Sequence, residues 1–123
     1  MTEGDRELYE RAVAVAERAY APYSRFQVGA AVRARDGRVF EGVNVENAAY
    51  PLGVCAEKTV LGRAVSEGCK PGDLEALAVT ASPCGGCRQW LVEFGLDRVT
   101  YLSAAGELRT ATPAELLPDT FVL

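Results

Sequence analysis

Two short stretches, Cys55-Ala56-Glu57 and Pro83-Cys84-Gly85-Gly86-Cys87, constrain this chain more than any other feature. Each opens a predicted helix. If Cys55, Cys84 and Cys87 hold one ion, two helix N-termini must converge on one point. The partial positive charge of those termini would then offset the negative charge left when three thiolates bind a divalent cation. Three protein ligands leave a fourth position for water, which separates a catalytic metal site from a closed structural one. Glu57 is two residues from a ligand. As an exposed first-turn acid it could take a proton from that water and later return it. A first-turn acid is also ordinary helix chemistry, so Glu57 gains its meaning only beside the metal.

The sequence contains no histidine. Serine–histidine and cysteine–histidine nucleophiles are thereby excluded, and any general base must be Asp, Glu, Lys, Tyr or Cys. Cys84-Gly85-Gly86-Cys87 alone is equally compatible with a redox pair, half a metal site or two buried thiols. Cys55 tips the balance to metal, either zinc or another thiophilic divalent ion. The fourth cysteine, Cys69, lies beyond the helix that follows Cys55. At 1.5 Å per residue it stands about 18–20 Å from Cys55, too far to share the ion.

A helical spacing of Leu8, Ala12, Val15, Ala16 and Ala19 ends near Ala21-Pro22. Strands are predicted from Phe26 to Ala34 and from Arg38 to Asn44, joined by a turn at Arg35-Asp36-Gly37. Residues Val45 to Val54 read as a loop. A helix from Cys55 to about Glu67 stops at Gly68. Leu74 to Thr80 reads as a buried strand, and a helix follows from Cys84 to Phe94, closed by Gly95. Strands Arg98 to Leu102 and Leu108 to Ala111 precede a short helix. Thr112 caps that helix, with Pro113 at its first position and Glu115 as the capping-box acid. The expected fold is α/β: a single three-layer α-β-α domain over residues 1–123 with a mixed, about five-stranded sheet.

The net charge is −4, and all but two of the 13 cations are scattered arginines, which speaks against nucleic-acid binding by a positive field. No apolar run reaches the roughly 18 residues of a membrane span. The charged start, Met1 to Glu10, lacks a signal-peptide pattern, so a cytoplasmic location with reduced cysteines is expected.

Three further stretches complete the picture: Ala21-Pro22-Tyr23-Ser24-Arg25-Phe26-Gln27-Val28-Gly29-Ala30, Gly42-Val43-Asn44-Val45-Glu46-Asn47-Ala48-Ala49-Tyr50, and Ser82-Pro83-Cys84-Gly85-Gly86-Cys87-Arg88-Gln89. In this order they resemble the small homotetrameric, three-cysteine zinc cytidine deaminases, from about Tyr9 to Phe121. The ligand-x-Glu…Pro-Cys-x-x-Cys signature is that of the zinc nucleobase deaminases.

The resemblance implies one zinc per chain on Cys55, Cys84 and Cys87, and Glu57 as proton shuttle. It further implies Phe26 beside the pyrimidine, Asn44 and Glu46 on the ribose hydroxyls, and Ala56 among the substrate contacts. Ala48, Tyr50 and Phe121 would reach substrate across subunit interfaces of a homotetramer. Lys58 and Arg88 would help balance the thiolate charge. The implied reaction is hydrolytic deamination of cytidine and deoxycytidine in pyrimidine salvage. Read without the flanking motif, Asn44 and Glu46 are a polar pair ending a strand, and Phe121 is core packing.

Three features depart from the family pattern. Lys58 stands where arginine usually follows the glutamate, keeping the charge but losing the planar fork. Only Ala81 and Ser82 separate Thr80 from Pro83, where a longer loop is common. The sequence ends soon after Phe121, which would trim what a tail adds to a neighbouring site. The alternatives are a deaminase of a cytosine nucleoside antibiotic such as blasticidin, a closed structural zinc module, and a thioredoxin-like redox protein.

Overall fold

The structure, a computed structural model, describes Met1–Leu123. A five-stranded sheet runs in the order β2-β1-β3-β4-β5, with β1 Gly29–Ala34, β2 Val39–Val43, β3 Leu74–Val79, β4 Arg98–Leu102 and β5 Leu108–Ala111. Only β3 and β4 pair in parallel; the other neighbours are antiparallel. The sheet is therefore mixed, as expected.

Alternation along the two central strands separates the layers. Ala31, Ala76 and Ala78 face α1 (Glu3–Val15), where they pack on Leu8 and Ala12. Ala30, Val32, Leu77 and Val79 face the other way, into a larger core shared with Val60 and Leu61 of α2 (Ala56–Ser66) and Leu91 of α3 (Gly85–Phe94). Small residues on the α1 face let one helix lie close; larger ones fill the space beneath two.

Two glycines set the helix distances. A Cβ at Gly42 would stand 2.7 Å from the Val60 amide nitrogen, so β2 accepts α2 at a separation that no side chain allows. At Gly29 a Cβ would fall 2.0 Å from the Ala12 carbonyl oxygen, where α1 ends against the start of β1.

Several boundaries differ from the sequence expectation. Helix α1 stops at Val15 and tightens into a 3-10 turn over Ala16–Arg18, short of Ala21. Strand β1 begins at Gly29 rather than Phe26, because Phe26 and Val28 give their backbone groups to the Asn44 side chain. Thr2 and Asp5 form a capping box at α1 that the sequence reading passed over. The 45–54 loop is closed on itself by reciprocal Val45–Val54 hydrogen bonds of 2.9 Å. The last helix, α4 (Pro113–Leu116), carries the Thr112–Glu115 capping box as expected.

Candidate metal centre

Cys55 and Cys84 occupy the N-cap positions of α2 and α3, yet neither side chain caps its helix. Serine, threonine or aspartate there would bond back to a first-turn amide. The thiols instead turn toward each other, with Sγ atoms 4.0 Å apart. Cys87, one turn into α3, is fully buried beneath them, and all three sulfurs lie within 4.8 Å of one another. Thiolates about 2.3 Å from a tetrahedral zinc sit roughly 3.8 Å apart, so a small contraction seats the ion.

The electrostatics point the same way. Burial pushes the Cys55 and Cys87 thiols upward in pKa, and the neighbouring sulfurs and Glu57 add to the rise at Cys87. Burial works against Cys84 too, but the nearby Cys87 backbone and the two other thiols leave it lowered. Without a cation, burial and the mutual repulsion of the sulfurs oppose gathering three thiolates at one point. A thiophilic divalent ion resolves that frustration by accepting all three sulfurs.

Glu57 is not the exposed acid that its first-turn position suggested. Only 4% of it is accessible, since α2 turns it inward to a cleft of about 240 Å³ that Cys55 and Cys84 also line. Burial raises its carboxyl pKa, against smaller opposing effects that include the charge of Lys58. Ala56 and Phe26 border the same cleft, Ala56 buried and Phe26 exposed by 62%.

Asn44 and Glu46 line both this cleft and an adjoining one of about 430 Å³, where Tyr50 stands. Tyr50 is exposed by 74% and meets Tyr23 edge to face at 6.1 Å. Ala48 is exposed on the same loop. Phe121 lies apart from the cleft, its carbonyl accepting from the Gln89 side chain at 3.3 Å.

Of the two cations, Lys58 Nζ lies 3.9 Å from the point where a Gly86 Cβ would stand, next to the cysteine turn. The Arg88 guanidinium donates to the Pro83 carbonyl at 2.8 Å, the Leu116 carbonyl at 2.8 Å and the Ser82 hydroxyl at 3.2 Å. Its hydrogen bonds go to oxygens, so it braces the loop that delivers Cys84. Cys69 is buried beyond the far end of α2, with Arg38 Nη2 at 3.5 Å from its sulfur, and takes no part in the cluster.

The sequence profile of the cytidine and deoxycytidylate deaminase zinc-binding region matches residues 2–103. The chain belongs to the cytidine deaminase family. Among its relatives in that family, the cytidine deaminase of Halalkalibacterium halodurans is 46% identical over 122 residues, covering 93% of this chain and 91% of that protein. The Mycobacterium tuberculosis cytidine deaminase is 42% identical, covering 85% and 80%. The crystal structure of cytidine deaminase from Burkholderia pseudomallei superposes with a TM-score of 0.88 at 44% identity, covering 98% of this chain and all of the other. The fold is thus that of solved cytidine deaminases, and the zinc named in the family description fits the donor set at Cys55, Cys84 and Cys87.

Proposed function

We propose that this chain deaminates cytidine and deoxycytidine by hydrolysis, giving uridine or deoxyuridine and ammonia, as an enzyme of pyrimidine salvage. The observation that carries the reading is the buried Glu57 carboxyl, which shares a cleft with two of three clustered thiols in a chain of the cytidine deaminase family.

Cys55, Cys84 and Cys87 would hold one zinc ion. When bound, zinc brings the pKa of a water toward about 7 and so supplies a nucleophile at neutral pH. Glu57 takes a proton from the attacking water at a carboxylate oxygen and delivers it to ring N3, which leaves C4 open to attack. It then moves the second proton, from the new C4 hydroxyl, to the 4-amino nitrogen. The C4–N bond breaks, ammonia leaves, and the carbonyl of the uridine product remains. A carboxyl that burial makes more basic suits this work, because it must hold a proton between two transfers.

Phe26 covers one side of the pyrimidine. Asn44 and Glu46 meet the sugar hydroxyls, one offering an amide and the other a carboxylate. Ala56 contacts the base from the first position of α2. Lys58 and Arg88 temper the charge of the thiolates, Lys58 from beside the cysteine turn and Arg88 through the Pro83 loop. In a homotetramer, Ala48, Tyr50 and Phe121 would complete the sites of neighbouring subunits. Large exposed aromatic surface on Tyr50 and Phe121 supports that assignment. The chain acts as one catalytic domain, and we place it in the cytoplasm. No helix is long and apolar enough to cross a membrane.

The test is the fall in cytidine absorbance on adding the zinc-loaded protein, run beside blasticidin. Turnover of cytidine is expected. Consumption of blasticidin alone would overturn the nucleoside assignment.

A further inference from the structure

Between α1 and β1 the chain passes from Tyr23 to Val28 without regular structure, and Arg25 stands at φ 60°, in the left-handed region. Such a backbone persists only where its surroundings over-determine it. Two side chains from beyond β2 do so here. Asn44 Oδ1 accepts the Val28 amide at 2.8 Å, and Asn44 Nδ2 donates to the Phe26 carbonyl at 2.9 Å. Glu46 Oε1 accepts the Tyr23 amide at 2.9 Å and the Ser24 amide at 3.1 Å.

The other carboxylate oxygen, Oε2, is reached by the Ser24 hydroxyl. That hydroxyl also accepts the Phe26 amide at 3.0 Å. A serine hydroxyl has one proton to give. With its oxygen turned to an amide, that proton goes to Glu46, and the direction of the chain is fixed: Phe26 N–H to Ser24 Oγ–H to Glu46 Oε2.

The consequence for the cleft follows from lone pairs. Two amides satisfy Oε1, whereas Oε2 has one protein donor and keeps capacity for another. Glu46 and Ser24 both line the cleft that holds Glu57. We propose that Ser24 is a positioning residue of the substrate site, holding Glu46 Oε2 as the acceptor for a sugar hydroxyl and tying its orientation to the Phe26 backbone. This rests on the nucleoside reading given above. The Ser24 hydroxyl foremost, with the Ser24 and Tyr23 amides, also holds the Glu46 carboxyl below its ordinary pKa despite some desolvation. A carboxylate kept ionised is a pure acceptor, as a hydroxyl donor requires.

The experiment compares wild type, Ser24→Ala and Ser24→Thr, each zinc-loaded. It records kcat and KM for cytidine and the inhibition constant of 2′,3′-dideoxycytidine, which lacks the hydroxyls in question. Ser24→Ala is expected to raise KM for cytidine about tenfold with kcat within about threefold, the mark of lost uniform binding. The dideoxycytidine constant should stay within about twofold, and Ser24→Thr, which restores the donor, should return KM to within about threefold of wild type. An unchanged KM in Ser24→Ala would overturn the proposal. So would a parallel rise for dideoxycytidine, which would mean that Ser24 acts on the loop or the base. If wild type consumes no cytidine at all, the nucleoside reading has failed, and the role of Ser24 falls with it.

Discussion

Cys55 Sγ and Cys84 Sγ stand 4.0 Å apart although 29 residues separate them in the chain. The pairing exists because each begins a helix, and both helices lie on the same face of the sheet. Zinc affinity therefore depends on the docking of α2 and α3 as much as on the sulfurs themselves.

Gly42 tests that dependence at a distance from the metal. A methyl group there would press on the Val60 backbone and lift α2 from β2. Gly42→Ala should cost about 1–3 kcal/mol of stability, as overpacking does. Because α2 carries Cys55, zinc affinity should fall too, measured by competition with a chromogenic chelator. Chemical denaturation provides the stability half of the comparison.

Cys69 separates a three-thiolate site from a closed four-thiolate one. It is buried beyond the opposite end of α2 and receives a hydrogen bond from Arg38. Cys69→Ser should leave the zinc content at one per chain and the turnover intact. Placing a hydroxyl in that setting should lower stability by about 1–2 kcal/mol. Loss of zinc in this variant would restore the structural-module reading.

Asp5 sets the response of the fold to acid. Its side chain is almost wholly buried and accepts from Arg98 Nη2 at 3.0 Å and from the Thr2 amide at 3.1 Å. Burial raises its pKa, but the Arg98 and Thr2 hydrogen bonds and the Arg98 charge together hold it below 3.8. A group depressed in the folded state contributes its full stabilisation above the unfolded value and loses it as pH falls through the folded one. Asp5→Asn should thus cost about 2 kcal/mol at pH 7, a gap that closes as the pH drops below 3.8. Denaturation midpoints of the two proteins across that range provide the check.

How much of this was legible in the sequence follows from the range of the forces involved. The last helix and its capping box were readable because Thr112, Pro113 and Glu115 act within four residues of each other. Gly68 and Gly95 marked helix ends for the same reason, and both have positive φ. The three sulfurs were readable because ligand chemistry is sparse in a chain without histidine. The burial of Glu57 was not readable. A first-turn acid looks solvated in the sequence, and only the packing of α2 beside the cysteine turn of α3 encloses it.

Phe26 to Val28, expected to begin the first strand, lies outside it for a related reason. The Asn44 side chain takes the Phe26 carbonyl and the Val28 amide in place of a regular strand ladder, and no local pattern announces that. Ser24 lay inside a stretch already singled out, but its chemistry appears only when Glu46 is placed against it. At α1 the missed signal was plain: Thr2 followed three residues later by Asp5 is a capping-box spacing.

The most direct test of the account is Glu57→Gln, assayed by cytidine absorbance with zinc quantified in the same samples. The substitution keeps the size of the side chain and removes its charge and its ability to carry a proton. With the three thiols untouched, the variant should retain about one zinc per chain. Its turnover should fall by at least 10²–10⁴-fold, roughly what positioned proton transfer contributes. Turnover near the wild-type rate with zinc in place would contradict the assignment of Glu57 as the proton shuttle, and with it the mechanism built on this cleft.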